Sequence, residues 1–264
     1  MQIDLTGKHA VVTGSTKGIG FAIAAGLAAS GAHVVINGRS EAAVREAAGK
    51  LIAALPNSRV DGIAADLATA AGVETFLRAV PQTDILVNNL GIFEPKPFEE
   101  IGDADWMRFF ETNVMSGIRL SRAYVGGMRE KKWGRVVFIS SESGLNIPVE
   151  MVHYGMTKTA QLAVSRGLAA SLAGTGVTVN AVLPGPTRSE GVSDFFGKMA
   201  QDAGISQAEM EKQFIAEHRP SSIIKRLATV EEVANMVVYV CSPQASATTG
   251  AALRVDGGVV STIG

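Results

Sequence analysis

Short apolar runs rich in Val and Ile alternate along the chain with longer stretches of helical spacing. HAVVT (9–13), AHVVI (32–36), DILVN (84–88), RVVFIS (135–140), VTVNAV (177–182) and ALRV (252–255) read as strands buried on both faces. RVDGIAAD (59–66) is a weaker seventh. Helical patterns fall near 18–30, 40–54, 69–80, 103–130, 151–173 and 230–242. The last opens with Thr229 and Glu232 three residues apart, a capping-box pattern. Strand and helix alternating without a break predict an α/β architecture: about seven parallel strands, doubly wound, with helices on both faces. With no repeat or linker, residues 1–264 read as one Rossmann-like domain. Only the segment 186–225 breaks the rhythm. It is too long for an ordinary connection and predicts a lid or substrate-binding loop.

Composition narrows the classes. Hydrophobic residues make up 47% of the 264 residues and charged residues only 19%, so much of the chain is expected in buried layers. A net charge of −1 gives no pull toward nucleic acid or an anionic membrane. The start, MQIDLTGKHAVV, has no signal-peptide apolar region, and no run is long enough to span a bilayer, which predicts a cytoplasmic protein. The single cysteine, Cys241, allows no internal disulfide and reads as a small buried hydrophobe. His9, His33, His153 and His218 lack metal-ligand spacing and are read as surface or pocket-rim residues, with no metal site.

The candidate chemistry begins after the first strand, where TGSTKGIG (13–20) opens a helix. Gly14 permits a sharp turn, Gly18 lets the backbone approach a pyrophosphate, and Gly20 allows helix to pack on strand. The helix N-terminus then offers free N–H groups to the anion. At the end of the second strand, VVINGRS has no Asp or Glu at 36–38 to bind a ribose hydroxyl. Arg39 and Lys17 instead supply two cations for a 2′-phosphate, so NADP (NADPH) is expected as the preferred cofactor, with NAD possible.

YGMTK (154–158) places Tyr154 and Lys158 one helical turn apart on one face. Together with TGSTKGIG, NNLG (88–91), Ser141, LPGPT (183–187) and VDGG (255–258), it resembles the short-chain dehydrogenase/reductase family in order and spacing over essentially the whole chain. Leu90 departs from the pattern, since the family usually has Ala there, and is expected to narrow the pocket. The resemblance implies an NAD(P)-dependent oxidoreductase acting on a carbonyl/alcohol pair, with Asn113, Ser141, Tyr154 and Lys158 as its catalytic set. It implies cofactor contacts from Gly14, Ser15, Thr16, Lys17, Gly18, Ile19 and Gly20, from Asp66 and Leu67 beside the adenine, and from Asn89 and Gly91 on the ribose side. Pro184, Gly185, Thr187 and Ser189 would lie near the nicotinamide. It further implies a homodimer or homotetramer formed through the 103–130 and 151–173 helices.

Hydride transfer to a ketone creates an alkoxide that must receive a proton. A free tyrosine, with a pKa of about 10, exchanges protons poorly near neutrality. A nearby lysine ammonium would favour the phenolate, so Tyr154 is the expected acid/base and Lys158 the group expected to lower its pKa. The resemblance implies that Lys158 also holds the nicotinamide ribose. Ser141, chosen over Ser140 and Ser143 by the family spacing, would stabilise charge on the substrate oxygen. Asn113 is implied to hold a water in a proton relay from Lys158. Leu90, Phe93, Leu145, Ile147, Met151, Phe195, Phe196 and Met199 are expected to line a fairly apolar cleft. Two alternatives stand. One is a 3-oxoacyl-[acyl-carrier-protein] reductase that docks its carrier on the cations of REKKWGR (129–135), which otherwise complement a helix C-terminus. The other is a catalytically silent cofactor-binding regulator or scaffold.

Overall fold

The computed structural model describes residues 2–263, the side chain of Phe195 excepted. In chain order the strands are β1 (His9–Val12), β2 (His33–Gly38), β3 (Arg59–Ala64), β4 (Ile85–Asn88), β5 (Gly134–Ile139), β6 (Val177–Pro184), β7 (Thr187–Arg188), β8 (Ala228–Thr229) and β9 (Ala252–Val255). Seven of them form one parallel sheet in the order β3-β2-β1-β4-β5-β6-β9, and all seven predicted strands are in it. From β1 the chain moves outward to β2 and β3, then returns to β4 on the other side of β1. The strand order therefore reverses at the carboxyl ends of β1 and β4, where a doubly wound sheet opens a ligand crevice.

The consecutive apolar residues divide between two cores by strand alternation. Val12, Ile36, Val87 and Val137 face one core, shared with α1 (Gly18–Ala29), α2 (Glu41–Ala54) and, from the chain's far end, α9 (Val230–Cys241). Val11, Val35, Leu86 and Val136 face the other, shared with α3 (Ala70–Ala79), α5 (Ser116–Glu130) and α6 (Val152–Ser171). Cys241 is fully buried in the first core, and its thiol is pushed up to about 12 by that burial.

The structure differs from the sequence pattern in two places. The single helix expected over 103–130 is α4 (Asp103–Phe110), one π-helical turn (Glu111–Met115), then α5. The widened turn carries Asn113, whose side chain is tied sideways to Ile92. Such turns recur at functional sites. The 186–225 segment is not an irregular loop. It contains α7 (Glu190–Ala203) and α8 (Gln207–His218), N-capped by Ser189 and Ser206 and separated by Gly204 in the left-handed conformation (φ 66°). Phe196, Ala200, Met210, Ile215 and Leu227 give the pair its own small core. The parallel pair β7–β8 closes its base, matching Thr187 to Ala228 and Arg188 to Thr229.

Thr229 ends that base and caps α9 with the predicted box: its hydroxyl accepts from Glu232 N–H, and the Glu232 carboxylate accepts from Thr229 N–H. Thr229→Ala is expected to cost about 1 kcal/mol of stability, read as a lower midpoint in chemical denaturation, while cofactor affinity stays near wild type.

Candidate active site

Gly14 and Gly18 both adopt the left-handed conformation, at φ 58° and 60°, which shapes the turn between β1 and α1. A Cβ on Gly20 would collide with Asn89 Nδ2 and lie 2.6 Å from Gly14 O, so the helix can approach the strand only with glycine there. Thr13 and Asn89 hold the turn against the end of β4. The Thr13 hydroxyl accepts from Asn89 and Leu90 N–H, and the Asn89 amide donates to Thr13 O and Gly14 O. Lys17 makes no side-chain cap, and among the described residues no acceptor takes the N–H groups of Gly18, Ile19 and Gly20. The residues present thus suit a pyrophosphate.

Several residues of the predicted cofactor set also have structural roles of their own. Ser15 is fully buried and donates its hydroxyl to Val12 O. Ile19 packs against the first core, and Leu67, 1% exposed, lies inside the second, leaving Asp66 at the surface. Leu90 is half-buried, with its Cδ1 over Gly14, so it covers the phosphate turn rather than an open pocket. Pro184 is buried at the end of β6, and Gly185 packs tightly on Asp256. The Thr187 hydroxyl donates to Gly185 O. Ser189 sits against Gly18, so α7 begins beside the cradle.

The candidate reacting groups converge on the ends of β4 and β5. Gly91 lies between Asn113 and Lys158; a Cβ there would be 3.5 Å from both Asn113 Oδ1 and Lys158 Nζ. Asn113 is nearly inaccessible. Its Oδ1 accepts from Ile92 N–H, and its Nδ2 donates to Ile92 O and the Thr157 hydroxyl. Of the three serines after β5, Ser140 is committed elsewhere, donating to Lys158 O at 2.8 Å. The Ser143 hydroxyl turns to Glu142, while the Ser141 hydroxyl accepts from Ser143 N–H and is the one of the three that acts on the Tyr154 phenol.

The electrostatics correct one expectation. Tyr154 is not brought down by Lys158. Burial pushes its phenol up to about 12, which neighbouring Ser141 only partly offsets. Lys158 Nζ donates to Ile139 O at 2.9 Å and lies 5.5 Å from the Tyr154 ring centre. Burial lowers Lys158 itself to about 7, so near neutral pH it carries only part of a charge.

Other expectations are corrected by burial. His153 is fully buried, not on a rim, with its ring 4.0 Å from that of Phe109. Phe196 is buried within α7–α8 and does not line the cleft, and half-buried Met199 packs against the same small core. The Phe195 side chain lies outside the described residues. Phe93, Leu145 and Ile147 are exposed, and the Phe93 ring meets Tyr154 edge-on at 6.4 Å. In the 129–135 run, Lys131 pairs with Asp84 and Arg135 is buried. The run precedes β5 whereas Ser141 follows it, which puts these cations at the opposite edge of the sheet. Sequence reasoning passed over Asn37, which accepts from Gly14 N–H and donates to Ile63 O and Ala65 O, and the buried Glu142–Arg219 pair. Asn37 was legible as a polar residue inside an apolar strand. Glu142 and Arg219, 77 positions apart, left no local signal. Among the described residues no His/Cys/Asp/Glu cluster could hold a metal ion, and no helix is long and apolar enough to cross a membrane.

Lys158 gives a test by linkage. Its folded pKa lies below the unfolded value, so its burial penalty is full below about pH 7 and fades as pH rises toward 10.5. Lys158→Met should relieve on the order of 4 kcal/mol at pH 6 and much less at pH 10. The gain in thermal midpoint over wild type should therefore shrink steadily as pH is raised.

Known proteins share this arrangement. The family model described as enoyl-(acyl carrier protein) reductase matches residues 14–260. The uncharacterized oxidoreductase YvaG of Bacillus subtilis is 48% identical, with both chains covered completely. The 3-oxoacyl-[acyl-carrier-protein] reductase FabG of Aquifex aeolicus is 35% identical over 98% of this chain and 100% of its own. The crystal structure of L-sorbose reductase from Gluconobacter frateurii, complexed with NADPH and L-sorbose, superposes with a TM-score of 0.94 at 34% identity, covering both chains fully. On a match of this extent, the chain belongs to the short-chain dehydrogenase/reductase family and is an NAD(P)-dependent oxidoreductase of the carbonyl/alcohol class.

Proposed function

We propose that the protein, acting as one domain over residues 1–264, is an NADP-preferring oxidoreductase that interconverts a carbonyl and an alcohol through Tyr154. The observation that carries this reading is the convergence of four groups at the crevice edge: Lys158 and Asn113 meet beside Gly91, and Ser141 acts directly on the Tyr154 phenol. NADPH, when bound, supplies the hydride. The neutral Tyr154 phenol gives its proton to the substrate oxygen, and the Ser141 hydroxyl donates a hydrogen bond to that oxygen as charge develops. Lys158 holds the ribose and, with a water beside Asn113, returns the proton to Tyr154.

The preference for NADP rests on the end of β2. Asn37 is consumed by the backbone, and Gly38 abuts Thr16, which brings Arg39 and Lys17 to one corner of the cradle. Both cations are exposed and have no protein partner among the described residues. Phe93 beside Tyr154, with Leu145 and Ile147 exposed after the Ser141 turn, suits a substrate with an apolar flank. The 35% identity to FabG favours a 3-oxoacyl-[acyl-carrier-protein] reductase as the second reading, but the position of the 129–135 cations argues against carrier docking there. A silent scaffold would have no need of Lys158 and Asn113 buried side by side at Gly91. By family likeness the protein works in the cytoplasm as a homodimer or homotetramer through α4–α5 and α6.

Binding of NADPH and NADH to the purified protein tests the reading, followed by reduction of a panel that includes ethyl acetoacetate and L-sorbose. A charged hydrogen bond is worth about 1.5–3 kcal/mol, so Arg39→Ala should weaken NADPH about tenfold to a hundredfold and leave NADH unchanged. Tyr154→Phe should abolish turnover without loss of binding. Equal affinity for both cofactors sinks the NADP assignment, and full activity in Tyr154→Phe sinks the mechanism.

A further inference from the structure

The seam between α8 and the catalytic turn holds an ion pair that the reaction as described leaves unused. Ser141 caps a short 3₁₀ turn, Glu142–Gly144, by accepting from Ser143 N–H. The first residue of that turn, Glu142, is 2% exposed, and its Oε1 is bonded by Arg219 Nε at 2.8 Å. Arg219 follows the end of α8 and is itself 8% exposed. Its Nη1 donates to His218 O and lies 3.9 Å from Glu150, in the segment leading into α6. Three pieces of chain therefore meet at one guanidinium: the turn after β5, the approach to Tyr154, and the end of α8.

We infer that Arg219, acting through Glu142, is a positioning residue that fixes the Ser141 turn against Tyr154. The inference rests on the reading of Ser141 and Tyr154 as the reacting pair. A buried ion pair is a poor device for stability, because desolvation offsets most of its attraction. This one is also incompletely satisfied, since Glu142 Oε2 is buried and has no hydrogen-bond partner among the described residues. Its location, one residue from Ser141, gives it a different use. It holds the turn through a charged contact that the neighbouring backbone alone does not supply.

The pair also acts on Tyr154 by charge. The groups facing the phenol are Ser141 and Glu142 from the turn, Arg219 from α8 and Lys158 on its own helix, while Asp256 acts on Glu142. Glu142 raises the Tyr154 pKa and Arg219 lowers it. Removing either charge should therefore move the phenol in opposite directions, which a loss of packing would not do.

The test uses Glu142→Gln, Arg219→Met, Arg219→Lys and the double change E142M/R219M, with Ser141→Ala and Tyr154→Phe as references. Each is assayed with NADPH and the panel carbonyl that wild type reduces fastest, then in reverse with NADP⁺ and the corresponding alcohol. Misplacing a reacting group by about 1 Å costs about a hundredfold in rate, so Glu142→Gln and Arg219→Met should each lower kcat by about that factor. NADPH affinity should not change, and Arg219→Lys should recover part of the loss. In the oxidation direction, where Tyr154 must lose its proton, the rise of kcat/KM with pH should move lower in Glu142→Gln and higher in Arg219→Met. The double variant should keep the wild-type thermal midpoint while remaining slow, which keeps the test open if a single variant fails to fold. Shifts of the two pH profiles in the same direction, or none, overturn the inference, as does a folded double variant with wild-type kcat. Activity retained in Ser141→Ala and Tyr154→Phe defeats the underlying reading instead, and a wild type without turnover on the whole panel defeats both.

Discussion

The site depends on how the end of β5 is fastened to α6. Ser140 donates its hydroxyl to Lys158 O, and Thr159 donates to Gly144 O. A Cβ on Gly144 would sit 3.0 Å from Lys158 C, so the turn and the helix touch backbone to backbone. These bonds are main-chain or one atom away from it, which leaves little rotamer freedom between Ser141 and Tyr154. Preorganisation of this kind lets a hydroxyl meet developing charge without reorganising at the moment of reaction. The helix is set first by its backbone, and the reacting side chains inherit their positions.

The fold was legible because its signals are local and repeated. Buried strands such as VVINGRS and RVVFIS announce themselves by consecutive apolar residues, and the glycines of TGSTKGIG by their fixed offsets. The α7–α8 pair was not legible as helices, although its Ser189 and Ser206 caps stand in the sequence. Its apolar residues pack on one another rather than on the sheet, so they carried no strand–helix rhythm. Phe196 looked like a cleft residue because it is large and apolar in a segment expected to cover substrate; in fact it fills a core. The π-helical turn at Asn113 escaped for another reason. It is imposed by Ile92, 21 residues away, and helical periodicity does not register a single widened turn.

Burial sets the charges of the site more strongly than neighbours do. The Tyr154–Lys158 spacing suggests a cation lowering a phenol, yet both groups are driven toward their neutral forms, Tyr154 up and Lys158 down. A neutral phenol is already the form that can donate a proton. A lysine held near 7 exchanges its own proton readily near neutrality. The spacing puts the two groups on one helix face, while their protonation follows from how little water surrounds them. His153 shows the same rule without a chemical role. Buried among Phe109 and Trp106, it is held below its ordinary pKa mainly by desolvation.

Stability and chemistry therefore pull apart at this crevice. The N–H groups at the start of α1, the buried Lys158 and the half-satisfied Glu142 each leave a polar group without its best partner. Elsewhere Thr229 and Glu232 satisfy each other at the start of α9. The groups left open at the crevice are costs retained where ligands and protons must be received.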